Sequence, residues 1–480
     1  MSNNKNSVVI NFIWRFMERC GAQLVTFVVS IVLARLLDPE VYGTVALVTV
    51  FTTILQTFVD SGLGNALIQK KDADDLDFSS VFYVNIVFCT VLYIGICLAS
   101  PLIASFYERP ELVPVICVVS LMIVISGVRN VQQAYVSRKM MFKKFFFATL
   151  GGTVAAAVVG ITMAALGFGV WALVVQMLVN FAVGTLVLWV TVKWRPKRMF
   201  SFERVKSLFS FGWKLLVSSL LETVYKDVRQ LIIGKMYSAE DLAFYNKGMQ
   251  FPNLVITNVN ISIDSVLLPA MSNVQNDRAQ VRAMTRRAMK TSTFILFPLM
   301  VGLGVCADFL IPLLLTEKWS FCIPYLRIFC FTYAFYPIHT ANLNAIKAMG
   351  RSDLFLVLEI VKKIIGVVLL VATMWFGVMA MAYSLLVSTI LSSIVNAFPN
   401  RKLLNYSYIE QIKDLLPTMA ISAVMGVAVY CVGFLNLGAV ITLAIQVPLG
   451  AVIYIVLAKL FKLESFEYVL SVVKGFICKK

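Results

Sequence analysis

Cationic side chains recur at helical spacing in two stretches that are otherwise apolar. The first holds Arg15, Arg19, Gln23, Thr26 and Ser30, spaced by 4, 4, 3 and 4 residues, with Glu18 at its border. The second holds Lys214, Ser218, Glu222, Lys226 and Arg229, spaced by 4, 4, 4 and 3. These spacings put each set on one helical face. A charge within an apolar helix is costly unless it faces a bundle interior or a wet cavity. Arginine gives bidentate contacts to phosphate and lysine gives a point charge. Arg15, Arg19, Lys226 and Arg229 therefore predict a cationic cavity suited to an anionic headgroup such as a diphosphate. Two plainer readings compete. Arg15 and Arg19 snorkel to a membrane surface, and Glu18 and Glu222 neutralise their neighbours.

Arg129, Asp264, Arg327, Glu359, Lys362 and Lys363 are further charges in apolar surroundings. Glu359 and Lys363 are four apart, which predicts a pair. A carboxylate in such a place could take a proton or sodium ion for coupling. Asp60, Glu222, Asp227, Asp264 and Glu359 qualify by type. Glu222, Asp264 and Glu359 are the named coupling candidates, with structural ion pairs as the alternative for each.

The loop Asp72-Ala73-Asp74-Asp75-Leu76-Asp77 invites comparison with metal-dependent prenyl chemistry. That chemistry needs two acidic clusters on facing helices, and only one is present. The loop reads as a solvated linker that caps the next helix. No nucleophile–base–acid set and no phosphate-binding glycine loop occurs, so neither an enzyme nor an ATP-driven pump is expected. His339 is the only histidine, too few for a histidine zinc site. The nine cysteines form no CxxC pair and read as small buried hydrophobes. No metal and no cofactor are expected.

The elements that carry these residues must lie in lipid. Of 480 residues, 60% are hydrophobic and 14% charged, against about 45–50% and about 25% in soluble domains. A helical span needs about 20 mostly apolar residues, and the runs here are continuous, which favours helices over a barrel. The fold class expected is all-α and polytopic with fourteen transmembrane helices. They lie near 10–36, 41–62, 79–105, 112–136, 145–166, 169–192, 208–234, 246–271, 290–315, 321–346, 354–376, 377–397, 415–434 and 437–460. Asp38-Pro39-Glu40 supplies an N-cap, a first-turn proline and a first-turn acid. Very short turns are expected at Gly167-Phe168-Gly169, Phe376-Gly377 and Asn436-Leu437-Gly438. The first span holds Arg15, Glu18 and Arg19 and lacks a cleavage site, so no signal peptide is expected.

Loop charge supports this arrangement. On one side lie only Arg35, Arg109, Lys235, Lys247 and Lys318. The other side collects the clusters around Lys70, Arg138, Lys193 to Lys206, Arg278 to Lys290, Lys347, Arg401 and both tails. The alternation predicts cytoplasmic N- and C-termini. It also accounts for the net charge of +17 without nucleic acid, for which no polar domain exists.

The chain repeats with an offset near 200 residues. Ala34 to Gly43 follows the first span, and Gly234 to Ala243 follows the seventh. Gly169-Val170-Trp171-Ala172 opens the sixth, and Gly377-Val378-Met379-Ala380 the twelfth. The expected domains are a six-helix lobe over 1–200, a second over 201–400, and a helix pair with a cytoplasmic tail over 401–480. Parallel repeats of this kind place a substrate path between halves in transporters.

Leu33-Ala34-Arg35-Leu36-Leu37-Asp38-Pro39-Glu40-Val41-Tyr42-Gly43 resembles the signature of the polysaccharide-transporter branch of the MOP exporter superfamily. Asp60-Ser61-Gly62-Leu63-Gly64-Asn65-Ala66-Leu67-Ile68-Gln69, Val81-Phe82-Tyr83-Val84-Asn85, Pro101 to Tyr107 and Ser137 to Phe142 continue the match. It is strong over the first 200 residues and looser beyond. The resemblance implies two six-helix lobes in a V and a Wzx-type flippase. Such a flippase moves lipid-linked oligosaccharide, usually on undecaprenyl diphosphate, to the outer leaflet of the bacterial cell (inner) membrane. Implied partners are that substrate, membrane lipid, and the glycan polymerase and glycosyltransferases of the pathway. The family has no invariant catalytic motif, so the site rests on the cationic stripes.

Two other functions compete. A membrane-embedded glycan polymerase or ligase needs a sizeable outer loop, and the longest here is a handful of residues. A MATE-like small-molecule exporter of cations calls for an acidic cavity, whereas the stripes lean cationic.

Overall fold

The computed structural model describes the backbone of residues 21–61, 63–70, 72–435 and 437–477. It describes the side chains of all of these but 61, 211, 261, 262, 264–266, 472, 473 and 475–477. Every regular element among the described residues is a helix. The chain divides by its internal contacts into two units, Met1–Ala243 and Phe244–Lys480.

The first unit contains α1 (Gly21–Leu36), α2 (Pro39–Ser61), the short α3 (Leu63–Gln69), α4 (Asp75–Phe106), α5 (Leu112–Arg138), α6 (Phe142–Ala165), α7 (Val170–Thr191) and α8 (Phe202–Met236). Helices α4 and α5 pair, as do α6 and α7, and α2 packs on α5 and α8. Ala148, Gly152, Ala156, Gly160 and Ala164 recur every four residues along one buried face of α6. Small residues let membrane helices approach closely. Gly160 lies against the Gln176 side chain and Gly152 against the Asn180 carbonyl. The α6–α7 turn is as short as expected, with Gly167 and Gly169 at φ +82° and +55°, a region open to glycine.

Helix α9 (Ala239–Ser272) begins in the first unit and runs into the second. The second unit continues with α10 (Arg278–Leu315), a 3-10 turn (Glu317–Cys322), α11 (Ile323–Ala334), α12 (Tyr336–Ala348), α13 (Ser352–Thr373), α14 (Val378–Leu403), α15 (Tyr408–Val432), α16 (Ala439–Leu460) and α17 (Glu464–Ile477). Helix α10 is its hub, touching α11, α12, α15, α16 and α17. The span expected at 321–346 is two helices that meet at Phe335, just before Pro337. Proline removes a backbone donor and crowds the preceding turn. Gly377 and Gly438 take φ +98° and +80° at the other expected turns. The tail expected after 460 holds α17, which is tied to α10 by a 2.5 Å Lys290–Glu464 ion pair and by Arg287 over the Tyr468 ring.

Ten helical segments among the described residues are long and apolar enough to cross a membrane. Length and composition alone therefore do not reproduce the expected fourteen. Helices α8, α9 and α13 occupy three of the remaining places, but their charged and polar residues keep them out of the ten. In α8 these include Lys214, Glu222, Lys226, Asp227 and Arg229. Large apolar side chains such as Leu98, Leu102, Val190 and Phe376 are exposed. In water so much exposed apolar surface would drive association; in a bilayer it is the lipid-facing surface. The chain is a multi-pass membrane protein.

Candidate functional site

Helix α2 carries Thr49, Thr52, Thr53, Gln56, Thr57 and Asp60, spaced by 3, 1, 3, 1 and 3 residues. That spacing makes a single polar stripe. With Ser219 and Thr223 of α8 it forms one wall of a cavity of about 330 Å³. Met122 and Ile123 of α5, with Met177 and Phe181 of α7, also line it. The two helices meet where the Thr57 and Thr223 hydroxyl oxygens lie 3.2 Å apart.

Hydrogen bonds fix the stripe. Thr49 Oγ1 donates to the Val45 carbonyl at 2.7 Å, Thr52 to that of Thr49 at 2.9 Å, and Thr57 to that of Thr53 at 2.9 Å. Gln56 Nε2 donates to both carboxylate oxygens of Asp60 at 3.1 Å. Asn130 Nδ2 donates to the Val59 carbonyl at 3.1 Å and to Asp60 at 3.4 Å. Arg129 lies over the Phe181 ring, 5.7 Å from its centroid, and within electrostatic reach of Asp60. These bonds hold the Asp60 carboxylate in one orientation at the cavity. Gly64 lets Asn130 reach its place, since a Cβ there would come within 2.4 Å of Asn130 Oδ1.

The residues singled out in the sequence are placed as follows. Lys226 pairs with Glu222 at 3.2 Å, with side chains 67% and 43% exposed. Arg229 is buried on the same helix, six residues beyond Thr223, a rise of about 9 Å or a little under two turns. Arg15 and Arg19 lie outside the described residues, as does the side chain of Asp264. Glu359 belongs to the second unit and pairs with Lys362 at 2.6 Å. Positions three and four apart share a face, so spacing alone does not choose between them. The structure thus brings Glu222, Lys226 and Arg229 onto the helix that also lines the cavity. The α2 stripe is the part that the sequence reading misses. Its signal is the spacing from Thr49 to Asp60, hidden because threonine scarcely lowers hydropathy.

The acidic loop does cap a helix. Asp74 and Asp77 form a reciprocal capping box at the start of α4. Asp77 is not solvated, however: it is fully buried and takes Lys70 at 2.7 Å and Arg204 at 3.6 Å. Asp75 takes Lys197 at 2.5 Å, and Ser79 and Ser80 accept the backbone N–H groups of Lys197 and Ser201. The loop thus clamps the segment that leads into α8. A hydrogen bond from the Asp77 backbone N–H holds the Asp74 carboxyl below the usual carboxylate range. Among the described residues no group of three side chains is placed to hold a metal ion.

A second cavity, of about 790 Å³, lies in the second unit and is lined by Arg278, Arg282, Arg286, Lys402 and Lys413, with Glu410 and Asp414. Arg286 forms a 2.6 Å pair with Asp414, and Arg282 a 3.7 Å pair with Glu410. Both acids of this wall are thus held by arginines of the same wall.

Residues 32–324 match the family model described as polysaccharide biosynthesis protein. The chain is 26% identical to the teichuronic acid biosynthesis protein TuaB of Bacillus subtilis over 423 residues, 85% of this chain and 86% of that protein. It is 26% identical to the lipopolysaccharide biosynthesis protein WzxC of Escherichia coli over 412 residues, 82% of this chain and 83% of that one. Among solved structures, the lipid II flippase MurJ in an inward closed conformation is similar with a TM-score of 0.78 at 15% identity, over 94% of this chain and 98% of MurJ. An inward-facing MATE family transporter of the MOP superfamily gives 0.63 at 14% identity, over 80% and 94%. The structural likeness shows the fold, and the family match spans more than half of the sequence: the chain belongs to the polysaccharide biosynthesis protein family, on the MOP-superfamily fold.

Proposed function

We propose that the protein is a flippase that carries lipid-linked oligosaccharide, on undecaprenyl diphosphate, across the bacterial cell membrane for surface polysaccharide synthesis. The observation that carries this reading is a cavity lined by the polar stripe of α2 and by α8, the helix that also bears Lys226 and Arg229, in a protein whose exposed surface is largely apolar. A diphosphate crossing a low-dielectric region faces a large desolvation penalty, which Arg15, Arg19, Lys226 and Arg229 offset in this reading. Relatives named for teichuronic acid and lipopolysaccharide biosynthesis support it. The protein transports and does no covalent chemistry. It works beside the glycosyltransferases and glycan polymerase of its pathway.

The topology that goes with this function has fourteen crossings and cytoplasmic termini in the inner membrane. Two six-helix lobes, 1–200 and 201–400, are followed by a helix pair within 401–480. Loop charge and the 200-residue repeat support it. Glu222, Asp264 and Glu359 remain the candidates for ion coupling.

The test is depletion in a native host. Surface polysaccharide should fall while glycosylated undecaprenyl diphosphate accumulates facing the cytoplasm. Normal surface polysaccharide after complete depletion would sink the reading.

A further inference from the structure

We propose that the α2–α8 cavity is a sugar subsite that holds the first sugar ring of the cargo, the ring joined to the diphosphate. This inference rests on the flippase reading and adds where and how the glycan is recognised.

Three observations carry it. The first is the hydrogen-bond inventory. Thr49, Thr52 and Thr57 already donate their hydroxyl protons to backbone carbonyls. The Gln56 and Asn130 amide groups already donate to Asp60 and to the Val59 carbonyl. With the Thr57 proton on the Thr53 carbonyl, Thr223 is the donor to Thr57 across the helix pair. What these groups offer an occupant is mainly lone pairs. A hydroxyl has two acceptor sites and one proton, so a donor-rich occupant fits. Sugar hydroxyl groups supply such donors.

The second observation is charge. A metal cation would also accept oxygen lone pairs. Here the one carboxylate, Asp60, already accepts hydrogen bonds from Gln56 and Asn130 and has Arg129 in electrostatic reach. A neutral polyol suits a wall whose one carboxylate already accepts hydrogen bonds from neighbouring amides. The rest of the lining, Met122, Ile123, Met177 and Phe181, is apolar. A pyranose ring has this same division, with hydroxyl groups at its rim and C–H groups on its faces.

The third is size and position. About 330 Å³ lies at the small end of ligand sites, which run from about 300 to 1,000 Å³. It suits a sugar unit and not an oligosaccharide or a polyprenyl chain. Thr223 and Lys226 are three residues apart on α8, a rise of about 4.5 Å. A diphosphate at Lys226 and Arg229 therefore leaves its first sugar, one bridging oxygen away, within reach of Thr223 and Thr57.

The test is equilibrium binding to the purified full-length protein in lipid nanodiscs. The probes are undecaprenyl diphosphate and the same lipid bearing a single glucose, galactose or N-acetylglucosamine. For the wild type, at least one glycosylated lipid should bind about tenfold more tightly than undecaprenyl diphosphate. In Thr57→Val/Thr223→Val that ratio should fall to about one. If the double variant fails to fold, the same ratio read on Thr57→Val and Thr223→Val singly should fall, and an unchanged ratio in both overturns the subsite. If undecaprenyl diphosphate binds but no sugar adds affinity, the subsite is overturned and the flippase reading stands. If neither kind of lipid binds, both fall. If the variant keeps the ratio, or alters only a sodium dependence of binding, the cavity is not a sugar site.

Discussion

Gly43 packs directly on the backbone of Ala239: a Cβ at position 43 would lie 1.8 Å from the Ala239 carbonyl oxygen. The two residues stand in the two stretches, 34–43 and 234–243, that resemble each other in sequence, and both belong to the first unit. Gly234 lies equally tight on Leu47. Gly43→Ala should lower thermal stability by about 1–3 kcal/mol, the usual range for overpacking, and reduce membrane levels. Gly95→Ala is the contrast, since nothing lies within 4 Å of a Cβ there. Thermal unfolding in detergent checks both, and equal behaviour of the two variants would contradict the contact.

Replacing Arg15, Arg19, Lys226 and Arg229 by glutamine, singly and together, should reduce export, partially for each and severely for all four. Surface polysaccharide, read against membrane levels by blotting, is the measurement. Normal export by the quadruple variant would end the cationic mechanism.

Lys226→Gln also leaves Glu222 without its 3.2 Å partner. Glu222→Gln/Lys226→Gln should therefore recover whatever protein level Lys226→Gln loses, without recovering export. Full recovery of export by the double variant would make the pair structural alone.

Asp77→Asn should loosen the clamp on the segment before α8. A hydrogen bond to a charged group contributes about 1.5–3 kcal/mol, and Asp77 faces both Lys70 and Arg204. Limited trypsin digestion should cut faster at Lys193, Lys197 and Arg198. An unchanged cleavage rate would show that the clamp is not what holds this segment.

Acid should weaken the ion pairs Arg351–Asp353 and Lys290–Glu464. The Arg351 hydrogen bond lowers the Asp353 carboxyl to about 2, and Lys290 holds Glu464 below the usual range. A carboxyl lowered in the folded state stabilises above its unfolded pKa, roughly 4, and that contribution is lost as pH falls through the folded value. The melting temperature should therefore be level from pH 7 to about 5 and decline below about 4. In Glu464→Gln that decline should be smaller. An equal decline would remove Glu464 from the account.

Much of the fold is legible in the sequence because its determinants are local. Gly167, Gly169, Gly377 and Gly438 mark turns that need left-handed backbone, and Pro337 marks the break after Phe335 in what reads as one span. Helix α17 is also local, an amphipathic run from Glu464 to Ile477 that passes for a tail. The clamp is not legible. Asp77 and Arg204 are remote in sequence, and only folding brings them together. The candidate site is half legible: the proposed Lys226 and Arg229 stand out by charge, while the α2 stripe is built from threonines that pass as apolar in a hydropathy profile.

The threonines of α2 have a mechanical consequence. Thr49 and Thr57 each donate to the carbonyl four residues back, which the helix ladder also uses. Such sharing slightly destabilises a helix and often bends it. Thr44 does the same nearer the start of α2. The wall of the groove is thus a pliant beam, and its curvature depends on hydroxyl groups that also face the groove. Anything that competes for those hydroxyl groups acts on the shape of the wall as well as on its chemistry.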